Sequence, residues 1–567
     1  MPEGLEWRIK IGGADAPHEL MDCLTRVTVE SSMNIPAVAT LHLDNLPLGQ
    51  KDLKWIDTSE LDPGKEIAIA IVEGSASTPL FDGEVVEVEP FFGSDGYHLV
   101  VRAFDLLHRL SRGRKVKSFL QMNNQDIITK VVQGHGLSLS YTNGNGPGQI
   151  YDHVLQNSQT DMDFLRDRAA LMGCHCYAAA KTVHCVAPKK QSAVAKVDAS
   201  SLISFRPRLT TADQVSKVTV RGWEQKSKQA VVGTFDGSGV SDTVKIGGKN
   251  GAGFAAAAPD GGQEHLVTDW LVDNQSQAQY LAKAIATSVS GRFVQAEGVT
   301  LGNPKIIAGA WVEVASVGTR YSGTYFVTNA LHVYDAQSGY ETEFTMSGHD
   351  PTTLLHLLAA ESSEAARTGL QVGVVTEVDP KKAMVKLKLP HLSDDAATGW
   401  TRVVAIGAGA QRGIQFLPEV NDEVVVGFER GDINFPFVRG GLWTGQDTPP
   451  SQVDLEATKV AARVIQSRGG HVITFEDKEA GGGITIKDSK GDTITIDAQT
   501  TSITIESKKD ITVKATGNLT MTATGDVKVS GMNVNLEGQV GVSLKGTQVK
   551  VNADAEAEIK GGIVKIN

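Results

Sequence analysis

The amino-acid sequence predicts a mainly β protein with some α-helix, closing in a rod of stacked short strands. Three observations predict it. An apolar–polar–apolar word recurs from Ile484 to Ile566, a run of glycine-punctuated short strands precedes it, and the composition is rich in glycine (59 of 567 residues) and poor in aromatics (6%). Glycine frees the backbone for tight turns, and many turns imply many short strands.

The rod follows from periodicity. The word appears as Ile484-Thr485-Ile486, Ile494-Thr495-Ile496, Ile503-Thr504-Ile505 and Ile511-Thr512-Val513, and continues through Leu519-Thr520-Met521, Val527-Lys528-Val529, Val534-Asn535-Leu536, Val542-Ser543-Leu544 and Val549-Lys550-Val551 to Val564-Lys565-Ile566. Alternation with period two is the strand signal. Between words stand Gly517, Gly525, Gly531, Gly538 and Gly546 with Asp and Asn nearby, which are turn formers. Such strands cannot bury an apolar face alone. One chain could coil into a β-helix, or three chains could each supply a side of every turn. Either way Ile494, Ile496, Ile503, Ile505, Ile511, Val513, Val527 and Val529 point inward, and about ten strands stack into a rod of about 50 Å. A plain β-meander or sandwich is the simpler alternative. It is disfavoured because no longer strands or aromatic anchors interrupt the run.

The module before the rod spans Gln371 to Leu442 and reads as five short strands, which suits a small closed barrel of the OB type. Its order is Val372-Gly373-Val374, Asp379-Pro380, Val385-Lys386-Leu387-Lys388-Leu389-Pro390, Trp400-Thr401-Arg402-Val403, Pro418-Glu419-Val420-Asn421-Asp422-Glu423-Val424, then Gly431-Asp432 and Pro436. This order resembles the OB module of the contractile-tail spike family, which includes VgrG-type proteins, phage tail spikes and the spikes of extracellular contractile injection particles. Ser467-Arg468-Gly469-Gly470-His471, followed by Ile473-Thr474-Phe475-Glu476-Asp477, resembles the needle entry of extracellular injection particles and phage spikes, and Ile484-Thr485-Ile486-Lys487-Asp488 after it favours the extracellular branch.

The N-terminal part mixes strands with a few helices. Leu80-Phe81-Asp82-Gly83-Glu84-Val85 precedes a strand pair. Asn124 can cap a helix through Ile127, Ile128 and Val131, ended by Gly134, and Thr160 opens another that stops at Gly173. Gln277 to Ser290 reads as a third helix. In order, these elements are similar to the hub of the same family. The resemblance implies barrel-like hub domains at 1–112 and 206–350 with an α/β segment at 113–205 between them. A connecting helix at 351–369, an OB-fold at 370–445, a linker at 446–475 and an intertwined trimeric β-helix needle at 476–567 follow. It also implies a homotrimer that joins inner-tube and baseplate proteins and is driven into a target envelope, and the unpaired backbone of a blunt terminal strand leads to the expectation of a PAAR-type tip cap.

Composition limits the alternatives. Net charge is −12, which argues against a broad nucleic-acid surface, since that needs clustered Lys and Arg. Met1 to Lys10 has no apolar signal core, and no apolar run is long enough to span a bilayer. The expected place of synthesis is the cytoplasm, with assembly into a phage tail-like particle that could be released from the cell. Four cysteines without framework spacing fit a reducing compartment.

Asp161 and Asp163 could act as an acid–base pair, but after Thr160 they read as a helix N-terminus. Cys174-His175-Cys176 with His184-Cys185 invites a zinc site, yet strand alternation opposes the histidines to the thiols, so a buried free-thiol hairpin is expected. Ser467 and His471 lack an acid partner, and Gly407, Gly409 and Gly413 lack dinucleotide-binding spacing. Only Gly445 to Gln466 separates the OB module from the needle, too short for an inserted lysozyme domain, and a toxin fused after the needle is not expected. The expectation is therefore a structural protein without catalytic residues, metal or cofactor. The rival readings are a tail-associated peptidoglycan hydrolase and a receptor-binding tailspike.

Overall fold

The computed structural model describes residues 5–45, 53–94, 96–142, 149–224, 227–240, 243–259, 262–268, 270–348, 369–450, 455–479 and 481–566. The chain is mainly β and divides into two compact units, 1–448 and 449–567. The division falls at Pro449-Pro450, where two fixed φ angles and two missing amide donors interrupt regular structure.

The first unit is organised by an 11-stranded sheet. Its N-terminal strands alternate cleanly: in Leu5–Ile11, Trp7, Ile9 and Ile11 are buried while Glu6, Arg8 and Lys10 face solvent. Leu24–Ser32, Val38–Asn45, Glu66–Glu73, Ala76–Gly93 and Gly96–Asp105 complete this barrel-like part. The sheet then continues into strands expected to form a second hub domain. Asn329–Asp335 pairs antiparallel with Leu24–Ser32, and Gly339–Met346, Val294–Leu301 and Leu202–Leu209 follow. Trp7 packs edge-on against Tyr340 at 5.1 Å, so one core draws on both ends of the hub sequence.

The α/β segment has its own core of Phe119, Ile127, Ile128, Phe164, Leu165 and neighbours. Its first helix, Asn124–Gln133, is capped one residue earlier than the sequence suggests. The Asn123 side chain accepts from the Asp126 N–H, while Asn124 is diverted to the Tyr151 hydroxyl. The second, Asp161–Ala170, is capped by Thr160 as expected. The long helix Gln275–Gly291 lies against Gln229–Asp236, close enough that a Cβ on Gly233 would meet the Ala278 backbone at 2.2 Å. Its Gln279 bonds the Thr234 backbone and so occupies that strand's outer edge.

Gln371–Asp379, Met384–Lys388, Thr401–Val403, Glu423–Phe428 and Pro436–Gly441 close a five-stranded barrel around Val375, Val385, Leu387, Val424, Val426 and Val438. This is the closed barrel the sequence order predicts. It docks on the α/β segment, where the Leu155 N–H donates to Asn434 Oδ1 at 2.9 Å and the Ala397 N–H to Ser118 Oγ at 2.9 Å. The expected connecting helix at 351–369 lies outside the described residues except for Gly369.

The second unit holds a five-stranded antiparallel meander: Ala462–Gln466, Val472–Glu476, Gly483–Lys487, Thr493–Asp497 and Ser502–Glu506. Its first two strands both begin within the stretch 446–475 expected to be a linker. They pair because Ser467 to Gly470 is a tight turn, with Gly470 at φ +82°. Among the described residues 507–566, no strand ladder forms within the chain.

Candidate functional site

The meander places its isoleucines in two columns. Ile465 faces Ile473, which faces Ile486, then Ile494, then Ile505. Beside them, Phe475 faces Ile484, which faces Ile496, then Ile503. Period-two alternation sends Thr474, Thr485, Thr495 and Thr504 to the opposite face. The turns that hold this register are anchored by carboxylates. Asp488 Oδ1 accepts from the N–H groups of Lys490, Gly491 and Asp492, and Asp497 Oδ1 from those of Gln499 and Thr500. These backbone bonds hold both carboxyls below the ordinary aspartate range.

In one copy the apolar columns are open to solvent. Ile494 and Ile496 are 40% and 43% exposed, and Ile503 and Ile505 are 71% and 61% exposed. Beyond the meander, Ile511, Val513, Val527 and Val529 are each more than half exposed, and the later apolar residues of the repeat are at least half exposed. All eight residues singled out as needle core therefore lie on a surface that a single chain leaves uncovered. Contiguous apolar surface of this kind marks an interaction face. The backbone of residues 507–566 adds a second demand, since extended chain without ladder partners must find them elsewhere when water is excluded.

The candidates for chemistry resolve into local structure. Asp163 and Thr160 form a reciprocal cap, with the Asp163 N–H donating to Thr160 Oγ1 at 3.0 Å and that hydroxyl donating back to Asp163 Oδ2 at 2.7 Å. Asp161 turns away into a buried cluster with Lys115 Nζ at 2.5 Å, His135 Nε2 at 2.6 Å and Gln156 Nε2 at 2.9 Å. Burial pushes its carboxyl up, but these three partners outweigh burial and hold it below the ordinary range. Sequence reading missed this cluster because Lys115 and His135 are remote in the chain.

Cys174, Cys176 and Cys185 are buried together in the α/β core. His175 bonds Asn34 at 3.0 Å, and His184 stacks on Tyr177 at 4.8 Å. Among the described residues, no group of three or more His, Cys, Asp or Glu is arranged to hold a metal ion. Ser467 closes the turn between Ala462–Gln466 and Val472–Glu476, its Oγ accepting from the His471 N–H at 3.2 Å. Gly409 and Arg412 bridge across a loop of the small barrel.

A family model described as the Alg8 N-terminal domain matches residues 3–335. A second, described as the type VI secretion system/phage-baseplate injector OB domain, matches residues 371–443, the closed barrel. The type VI secretion system spike protein VgrG1b of Pseudomonas aeruginosa is 28% identical over 119 residues, which is 21% of this chain and 14% of that protein. The spike protein VgrG3 of Vibrio cholerae is 32% identical over 88 residues, 15% of this chain and 9% of that protein. The matched stretch thus spans less than a sixth of either relative. The solved structure of a half-lidded Francisella PdpA-VgrG complex aligns with 89% of this chain and 88% of its own, at a TM-score of 0.54 and 8% identity, a likeness of fold.

Proposed function

This chain belongs to the Alg8 N-terminal domain family and is a VgrG-type spike protein, and on that premise we propose that three copies form the central spike of a contractile injection system. The hub of the trimer seats on the inner tube and baseplate, and the C-terminal units wrap round a common axis as a needle. A PAAR-type cap sharpens the needle, and contraction of the sheath drives it through a target envelope. The particle is assembled in the cytoplasm and is of the phage-tail type. The role is mechanical, with no residue performing catalysis.

One observation carries this reading. The apolar columns of the meander and the apolar residues of 511–566 are exposed in a single copy, and three copies facing inward would bury them. Each large aliphatic side chain taken from water stabilises by about 1.5–3 kcal/mol, so the repeat favours association cumulatively. Interchain ladders would also satisfy the backbone along the shaft, giving the stiffness that a puncturing rod needs.

The test is the molar mass of the purified full chain by light scattering. Three times the chain mass is expected, and a monomer with the C-terminal unit protected from protease overturns the proposal. A turbidity assay on bacterial cell walls addresses the mechanical role, with no clearing expected.

A further inference from the structure

The buried thiols of the hub are not used by the spike reading, and their geometry supports a separate one. His175–Ala179 and Thr182–Val186 form a hairpin in which Cys176 stands directly opposite Cys185. The backbone groups of Cys176 do not bond across that pair. Its N–H donates to Asn34 Oδ1 at 2.9 Å, and its C=O accepts from the Asn34 N–H at 2.7 Å. Cys185 pairs on its other side with Ser138–Thr142. Facing residues at such a non-hydrogen-bonded position have Cα atoms about 4.5 Å apart, inside the roughly 4.4–6.8 Å that a disulfide bridges. The Cys185 thiol also lies within hydrogen-bonding reach of both the Cys176 and Cys174 thiols.

We propose that Cys176 and Cys185 are a dithiol–disulfide pair, open under reducing conditions and closed across the hairpin under oxidising ones. Closure removes one hydrogen from each sulfur and forms the S–S bond. The two electrons and two protons pass to a low-molecular-weight disulfide such as oxidised glutathione, whose own bond breaks to give two thiols. Cys174 lies outside the facing pair, its thiol donating to the Met172 carbonyl at 3.7 Å, and it stays reduced.

The bond would fasten a joint. Asn34 belongs to the barrel-like part of the hub, and besides its two bonds to Cys176 it bonds His175 of the same hairpin. A cross-linked hairpin therefore holds the α/β segment more rigidly on the barrel. Both sulfurs sit in the core, and the Cys185 thiol is held well above its ordinary pKa, so exchange waits for the hairpin to open or occurs while the chain folds.

The experiment uses the full chain, refolded or incubated with oxidised glutathione, then alkylated in denaturant and mapped by peptide mass. A chain two hydrogens lighter is expected, with one Cys176–Cys185 bond, alkylated Cys23 and Cys174, and reversal by dithiothreitol. Amide exchange across 175–186 should slow by about tenfold to a hundredfold, the scale set by closing a ten-residue loop. Four alkylated thiols after oxidation, or a bond through Cys174, overturns the proposal. Cys176→Ala should abolish the bond and Cys174→Ala should keep it. Should either variant fail to fold, the wild-type peptide map decides alone.

Discussion

Trp7, Ile9 and Ile11 alternate along a hub strand as Ile494 and Ile496 do along the C-terminal meander, yet the hub residues are at most 9% exposed and the two isoleucines at least 40%. The pattern is the same and the burial is opposite. In the hub, the strand finds sheet neighbours and a covering layer from the same chain, including Tyr334 and Tyr340 far along the sequence. In the C-terminal unit, the chain supplies neighbours only as far as Glu506 and supplies no covering layer for the isoleucine face among the described residues. Alternation thus encodes which face is apolar, and the source of the cover is a separate property.

That contrast can be broken by experiment. The largest effect is expected from Ile505→Asp, which on the proposed axis puts one unpaired charge per copy into a dry interior. Trimer yield and heat resistance should collapse while the hub stays folded, as read by light scattering and by melting of the hub alone. An unchanged trimer would mean that the isoleucine face points outward.

Truncation to alanine should be milder and unequal between regions. Ile9→Ala should cost about 2–5 kcal/mol of hub stability in denaturant titration whatever the oligomeric state. Ile496→Ala should cost a similar amount only in the trimer, so its effect should vanish on dilution to the monomer. Equal cost at all concentrations would show that the meander finds its cover within one chain.

The hub also carries its own pH dependence. Asp105 is buried and accepts from the Ala37 and Leu107 N–H groups, yet desolvation outweighs these bonds and pushes its carboxyl up to about 7. The folded hub therefore holds a proton that the unfolded chain releases near pH 4, so this contribution is full at low pH and is lost as pH rises toward about 7. Asp105→Asn should remove that slope, gaining on the wild type between pH 4 and pH 7 in thermal melts. The C-terminal unit should show no matching change.

The smallest effect is expected at the turns. Asp497→Ala removes the acceptor for two backbone N–H groups and should lower the meander's melting slightly, without changing the trimer. Because the Asp497 carboxyl is held below its ordinary range, its contribution is present near neutral pH and fades as the carboxylate protonates in acid.

Much of this architecture was legible in the sequence where the signal is local. The Thr160 cap, the long helix around Gln277 to Ser290, the five strands of the small barrel and the apolar word of the repeat all depend on residues within a few positions of each other. The misplaced Asn124 cap was a one-residue competition, settled by Tyr151 from another strand. Val472–Glu476 lies partly in the stretch expected to be a linker, since five residues of alternation are too few to distinguish a strand from a connector before the partner is known. The Asp161 cluster and the joining of both hub ends in one sheet were not legible, since each rests on pairs separated by long stretches of chain.

By itself, then, the sequence determined local conformation, the apolar face of each strand and the turn positions, because dihedral preference and side-chain period act between neighbours. Only the tertiary structure decided which strand lies beside which, that Cys176 faces Cys185, and that the hub covers its own alternating strands while the C-terminal unit leaves its face open. Those outcomes rest on burial and hydrogen bonding between residues that meet only when the chain folds.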